Sequence, residues 1–164
     1  MFEQKGLSLA AWIDIYEKKT KDKVDLPEGY QLLYMAERGF AVIKPDYKAK
    51  MMIVYETCGD AKFWRDVCEL MCCSSGLEII ATICTRHIRP YIRAFGWSII
   101  KEECVNDQYR FICKDSIGRL VIITHMCISD ATGEPQYHVT QYLNELATTD
   151  IDKFLASEEK GGND

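Results

Sequence analysis

KMMIVYETCGDAKFWRDVCELMCCSSGLEIIATICTRHIRPYIRAFGW, residues Lys50 to Trp97, reads as strand, turn, helix, strand, helix, and the fold class follows from that order. Met51-Met52-Ile53-Val54-Tyr55-Glu56 is a short apolar run without alternation, and Leu77 to Thr85 is a second, rich in branched side chains. Both predict central strands covered on two faces. Between them Trp64, Val67, Cys68 and Met71 fall at i, i+3, i+4 and i+7, with Lys62, Arg65, Asp66 and Glu69 opposite, the pattern of an amphipathic helix. Asp60 is its expected N-cap, and Gly76 its expected left-handed terminator. A strand, a crossover helix and a second strand imply a parallel pair with a right-handed connection. The turn Thr57-Cys58-Gly59-Asp60-Ala61 then lies where a strand's carboxyl end meets a helix N-terminus, the place where α/β sheets bind anions.

Outward from this stretch, Leu7 to about Lys23 predicts a first helix with Ser8 as cap and Leu9, Trp12, Ile13 and Tyr16 on one stripe. Tyr30 to Ala36 and Phe40 to Lys44 predict a hairpin, with Pro45 and Asp46 breaking its second strand. Arg86 to Phe95 has Ile88, Tyr91, Ile92 and Phe95 at helical spacing, with Pro90 in the first turn and Gly96 closing it. Trp97 to Val105, Gln108 to Lys114 and Arg119 to Met126 predict an antiparallel meander. Thr132 to Pro135 is expected to open a last helical region with Val139, Tyr142, Leu143 and Leu146 as its stripe, and residues 151–156 to add a turn. Residues 1–156 are thus expected to form one domain, and 157–164 a disordered acidic tail.

The totals narrow the function. The chain of 164 residues, 48% hydrophobic, suffices for one core. It has no run approaching the roughly 20 apolar residues that span a bilayer, and its N-terminal residues lack a signal pattern, so a cytoplasmic protein without membrane partners is expected. Eight cysteines among apolar residues are expected as reduced thiols. Residues 130–164 hold eight acids and two bases, which leaves the body at +1 of a total of −5. Phosphate binding needs clustered Lys and Arg, so nucleic acid is not the expected partner. Arg86, Arg89 and Arg93, along one helical face, are the local exception, read as a solvated face. The histidines at 87, 125 and 138 are scattered, and no metal site is expected. A nucleophilic thiol at Cys58, beside a helix N-terminus, lacks a nearby histidine.

The element order, with IIATICTRHIRPYIRAFGW at 79 to 97 as a strand, a short helix and a Phe-Gly-aromatic junction, resembles the GNAT (Gcn5-related N-acetyltransferase) superfamily. Thr85-Arg86 followed by a proline-containing helix and Ala-Phe-Gly-Trp is similar to divergent members from tailed bacteriophages and prophages. The resemblance implies an α/β (α+β) acyl-CoA N-acyltransferase fold, a mixed central sheet with helices on both faces. It implies acetyl-CoA wedged as cosubstrate between two parallel strands that splay apart, its pyrophosphate on the turn Thr57, Cys58, Gly59, Asp60, Ala61 and Lys62. Of the glycines that such turns carry, Gly59 alone is present, and the Asp60 carboxylate competes for the same amides.

The superfamily's usual general acid is a tyrosine at a position held here by Ile92. Tyr91 is adjacent, about 100° away around a helix, and so is expected to face elsewhere. Catalytic candidates are Glu56, Tyr91 and His87, with Glu56 as a base if burial raises its pKa. The expected function is acyl-CoA-dependent transfer of an acetyl group to an amine. The alternative is a GNAT-fold protein without catalysis, an interaction or assembly component that binds a protein partner or a second copy of itself.

Overall fold

A computed structural model describes residues 6–84, 87–130 and 132–144. Its elements in chain order are α1 (Leu9–Thr20), β1 (Gln31–Met35), β2 (Gly39–Asp46), β3 (Met51–Gly59), α2 (Ala61–Ser75), β4 (Ile79–Cys84), α3 (Arg89–Phe95), β5 (Ser98–Val105), β6 (Gln108–Lys114), β7 (Leu120–Ile128) and β8 (Pro135–Tyr142). The eight strands form one mixed sheet in the order β1-β2-β3-β4-β8-β7-β6-β5. Among the described residues, only β3 and β4 pair in parallel.

Local chemistry accounts for most boundaries. The Ser8 side chain accepts from the Ala11 amide and starts α1. Asp60 accepts from the Phe63 amide and starts α2, while Gly76, at φ +71°, ends it by donating to the Cys72 carbonyl. Pro90 sits in the first turn of α3, where its missing N–H costs nothing. β2, however, does not stop at Pro45: it runs to Asp46, with Pro45 opposite Met52 of β3. β1 begins opposite Ile43, so at Pro45 the strand has a neighbour on one side only, and a residue without an N–H is tolerated there.

The helices lie on both faces. On one, Leu9, Trp12, Ile13 and Tyr16 of α1 cover Phe40, Val42 and Cys58. On the other, Trp64, Cys68 and Cys72 of α2 pack on Ala41, Ile43, Met52, Val54 and Ile80. Farther along that second face, α3 contributes Ile92 to a cluster with Phe111, Ile123, Tyr137 and Val139. Arg65 and Glu69 are not a solvated side of α2. Arg65, 14% exposed, donates to Gln141 and pairs with Glu69, which in turn pairs with Arg119 at 2.6 Å, so ions tie α2 to the sheet.

The expected last helix is instead β8. Tyr137, Val139 and Gln141 alternate inward, the period of a strand, and the segment pairs antiparallel with both β4 and β7. Helical spacing at Val139, Tyr142 and Leu143 was a coincidence of apolar residues; a strand-shaped slot between β4 and β7 overrode it. Thr85, Arg86, Leu146, the expected turn at 151–156 and the expected tail at 157–164 lie outside the described residues. No helix among the described residues is long and apolar enough to cross a membrane.

Candidate functional site

The parallel ladder between β3 and β4 holds for four residue pairs, Met51 with Ile79 through Val54 with Thr82, and then ends. Beyond it each strand stays with its outer neighbour. Thr57, Cys58 and Gly59 pair with Ala41, Phe40 and Gly39 of β2, while Ile83 and Cys84 pair with His138 and Tyr137 of β8. A wedge therefore opens in the middle of the sheet. At its apex the Thr82 hydroxyl donates to the Val54 carbonyl at 3.0 Å, satisfying an oxygen just where the ladder ends.

A bulge shapes the wider end. Val42 faces Glu56 and Ile43 faces Val54, so Tyr55 is one residue extra in β3. A bulge bends its strand and reverses the side to which later residues point. Val54 thus lies on the α2 face, whereas Glu56 and Cys58 lie on the α1 face, opposite Val42 and Phe40. The resulting cavity of about 130 Å³ passes through the sheet. Tyr16 and Glu56 line it from the α1 side, Trp64 and Arg65 from α2, Tyr91 and Phe95 from α3. Gly96, at φ +71°, turns the chain so that Phe95 and Trp97 stack at 5.0 Å, and both line the cavity.

Glu56 stands out electrostatically. It is 7% exposed, and its Oε2 is buried with no hydrogen-bond partner. Burial pushes its pKa up to about 7; the Asp25 backbone N–H opposes this, and the charges of Asp22, Asp25 and Glu17 add to it. Tyr16, on the same cavity wall, has its pKa raised by burial first and by the Glu56 charge second. A buried carboxylate near neutrality with a free lone pair can accept a proton from a nucleophile.

Of the expected catalytic residues, Glu56 and Tyr91 both line the cavity, Glu56 from the α1 face and Tyr91 from the α3 side, and His87 does not. His87 is exposed, and its Nδ1 accepts from the Arg89 amide at 3.3 Å. Tyr91, expected to face elsewhere, lines the cavity and stacks on Phe95 at 6.2 Å, whereas Ile92 is buried in the core.

The expected phosphate turn is mostly strand, since β3 runs to Gly59. Thr57 and Ala61 line the cavity; Cys58, Gly59, Asp60 and Lys62 do not. Cys58 is buried against α1, with its Sγ 3.8 Å from the Trp12 carbonyl. Gly59, at φ +99°, lies against the β1–β2 turn, where a Cβ would collide with the Arg38 carbonyl oxygen. That oxygen accepts from the Asp60 amide and the Trp64 indole. The Asp60 carboxylate occupies the α2 N-terminus and pairs with Arg38 at 2.5 Å, and the Phe63 amide, then Arg38, holds its pKa below the usual range.

Sequence reasoning missed Tyr16, Arg65, Thr82 and Gln141 as cavity residues. The contact between Arg65 and Gln141 spans 76 positions, and no local pattern announces it. None of the eight cysteines is in a disulfide; four are buried, and burial raises Cys68 to about 12 and Cys72 to about 11. No group of three His, Cys, Asp or Glu able to hold a metal occurs among the described residues. Comparison of the chain with protein-family models, with curated proteins and with solved structures found no match.

Proposed function

We propose that the wedge between β3 and β4 binds an acyl thioester, with acetyl-CoA as its donor, and that the protein transfers the acyl group to an amine. The observation that carries this reading is Glu56, a buried carboxylate with one unpartnered oxygen and a pKa near 7, on the wall of a cleft made by two parting parallel strands. Among the described residues, residues 55–59 of β3 have no ladder partner on the β4 side, and this backbone would serve an extended amide-bearing arm. Apolar walls from Trp64, Ile88 and Phe95 would exclude water from the thioester.

In this reaction Glu56 takes a proton from the substrate ammonium, and the free amine attacks the thioester carbonyl. The C–N bond forms, the C–S bond breaks, and the departing thiolate takes the proton of the Tyr91 phenol, which is restored by the second proton that the attacking nitrogen sheds as it becomes an amide. The products are an amide and a free thiol. Such chemistry needs mainly orientation and a base, and general base catalysis contributes about 10²- to 10⁴-fold.

The parted strands offer backbone to a thioester arm, but the Asp60 carboxylate caps the α2 N-terminus and competes with a diphosphate for its amides. That capped end favours a second reading, a GNAT-fold protein without catalysis that acts as an interaction or assembly component. A thermal shift with acetyl-CoA separates the two: ligand at 100 times its dissociation constant adds about 2.7 kcal/mol to the stability of a protein that binds it. The acyl-transfer reading expects this shift, together with thiol release in the presence of an amine that falls about 10²-fold or more in Glu56→Gln. No shift at millimolar acetyl-CoA overturns the acyl-transfer reading and favours the second.

A further inference from the structure

The α1 side of the cleft is unlike the rest. The bulge at Tyr55 places Glu56 on this face, away from the apolar α2 and α3 walls. Three further acids act on it electrostatically, Glu17 from α1 and Asp22 and Asp25 from the α1–β1 loop, each opposing its charge. Glu17 is held in place by the Val24 amide at 3.1 Å; Asp22 and Asp25 are exposed. Aromatic rings line the same side: Tyr16 shares the cavity with Glu56, and Tyr55, 42% exposed, packs against Tyr30 at 5.5 Å. The lysines of this segment point away from such a role. Lys18, Lys19, Lys21 and Lys23 are exposed, Lys18 being tied to Asp14, while Lys44 lies over the Tyr30 ring.

A buried carboxylate with an unpartnered oxygen, ringed by further carboxylates, is unfavourable in the free protein and is relieved by a cation. One ammonium satisfies Glu56. The acids outside it remain, and they suit a second positive charge on the same molecule, while tyrosine rings favour the aliphatic chain and the cationic ends. We propose that the α1 side of the cleft binds a small amine bearing two or more positive charges on an aliphatic chain, with Glu56 against one ammonium and Asp22, Asp25 and Glu17 around the other. The proposal rests on the acyl-transfer reading for the role of this amine as acceptor. The binding site itself is tested separately.

Isothermal titration of the full chain at pH 8 with 1,4-diaminobutane and with n-butylamine reads the second charge directly. The diamine is expected to bind roughly tenfold tighter, a preference that shrinks as salt is added. Asp22→Asn combined with Asp25→Asn should remove the preference, weakening the diamine far more than n-butylamine; both positions are exposed, so these variants fold. Glu56→Gln should weaken both amines. Equal affinity for the two amines, or binding of neither, overturns the proposal. Tighter binding of a lysine-containing basic tetrapeptide than of the diamine also overturns it, in favour of a peptide acceptor. A diamine preference without acetyl-CoA binding supports this site and removes acyl transfer; acetyl-CoA binding without the preference does the reverse.

Discussion

Glu56 costs the fold stability, as a buried carboxylate with an unpartnered oxygen. Its carboxyl titrates near pH 7 in the folded chain and near 4.5 ordinarily. Between those values the folded protein holds a proton that the unfolded chain has released, so stability falls as pH rises through the window. A shift of that size corresponds to roughly 3 kcal/mol, absent below pH 4.5 and fully present above pH 7. Glu56→Gln should therefore gain stability relative to the parent between pH 5 and pH 8, measured by thermal melts at both; a constant gap between the two proteins would show that the carboxylate is not strained. Gly59 makes a different demand. It faces Gly39, at φ +95°, and a Cβ on either would strike backbone of the other strand. Gly59→Ala should cost about 3 kcal/mol in urea unfolding, from strain and from displacement of the Arg38 carbonyl. Were Gly59 instead a phosphate-binding glycine, the loss would fall on acetyl-CoA affinity and spare stability.

α2 connects the wedge to the rest of the sheet, and its two ends behave differently. The C-terminal end closes with the Leu77 amide donating to the Cys72 carbonyl at 2.9 Å, and the chain enters β4 directly. The N-terminal end carries both a cap and a counter-ion, Asp60 and Arg38. Removing the cap separates its structural value from its competition with an anionic ligand. Asp60→Ala is expected to lose about 1 kcal/mol of stability, and to show a larger acetyl-CoA thermal shift than the parent, because amides at a positive helix end become available to phosphate. An unchanged or smaller shift would mean that the diphosphate lies elsewhere. β3 shows the same interplay of local and distant forces. Its sequence has no alternation from Met51 to Ile53, yet the bulge at Tyr55 lets its two halves serve opposite faces.

The sheet is closed late. β8, the last strand among the described residues, sits between β4 and β7, so in the described sheet the half containing β1 to β4 is joined to the β5–β7 meander through it. It also carries Gln141, the partner of Arg65, and Tyr137 and Val139 of the second core. A chain ending before Pro135 should thus lose cooperative unfolding and near-UV circular dichroism, since two sheet halves with open central edges cannot each bury their faces. Retention of a cooperative transition in that truncation would make the β1–β4 half an independent unit. Pairing so distant in sequence also predicts slow folding, as loop-closure entropy precedes the gain from contacts.

Much of this architecture is legible in the sequence. The stretch from Lys50 to Trp97 carries its own signals, a β-branched run, a 3.6-residue apolar stripe, an aspartate cap and glycine stops, because such elements are specified by neighbours within a turn or two. The hairpin and the meander were legible for the same reason. What only the packed sheet decided depends on partners dozens of residues away. Tyr137-His138-Val139-Thr140-Gln141 satisfies a strand period and nearby apolar residues a helical one, and the slot between β4 and β7 chose the strand. Tyr91 lines the cleft and Ile92 enters the core, a division set by what α3 packs against and not by its periodicity. Glu56 is a single polar letter at the end of an apolar run. Its buried, unpartnered oxygen exists only because a bulge, a helix from the other face and a parting strand enclose it together.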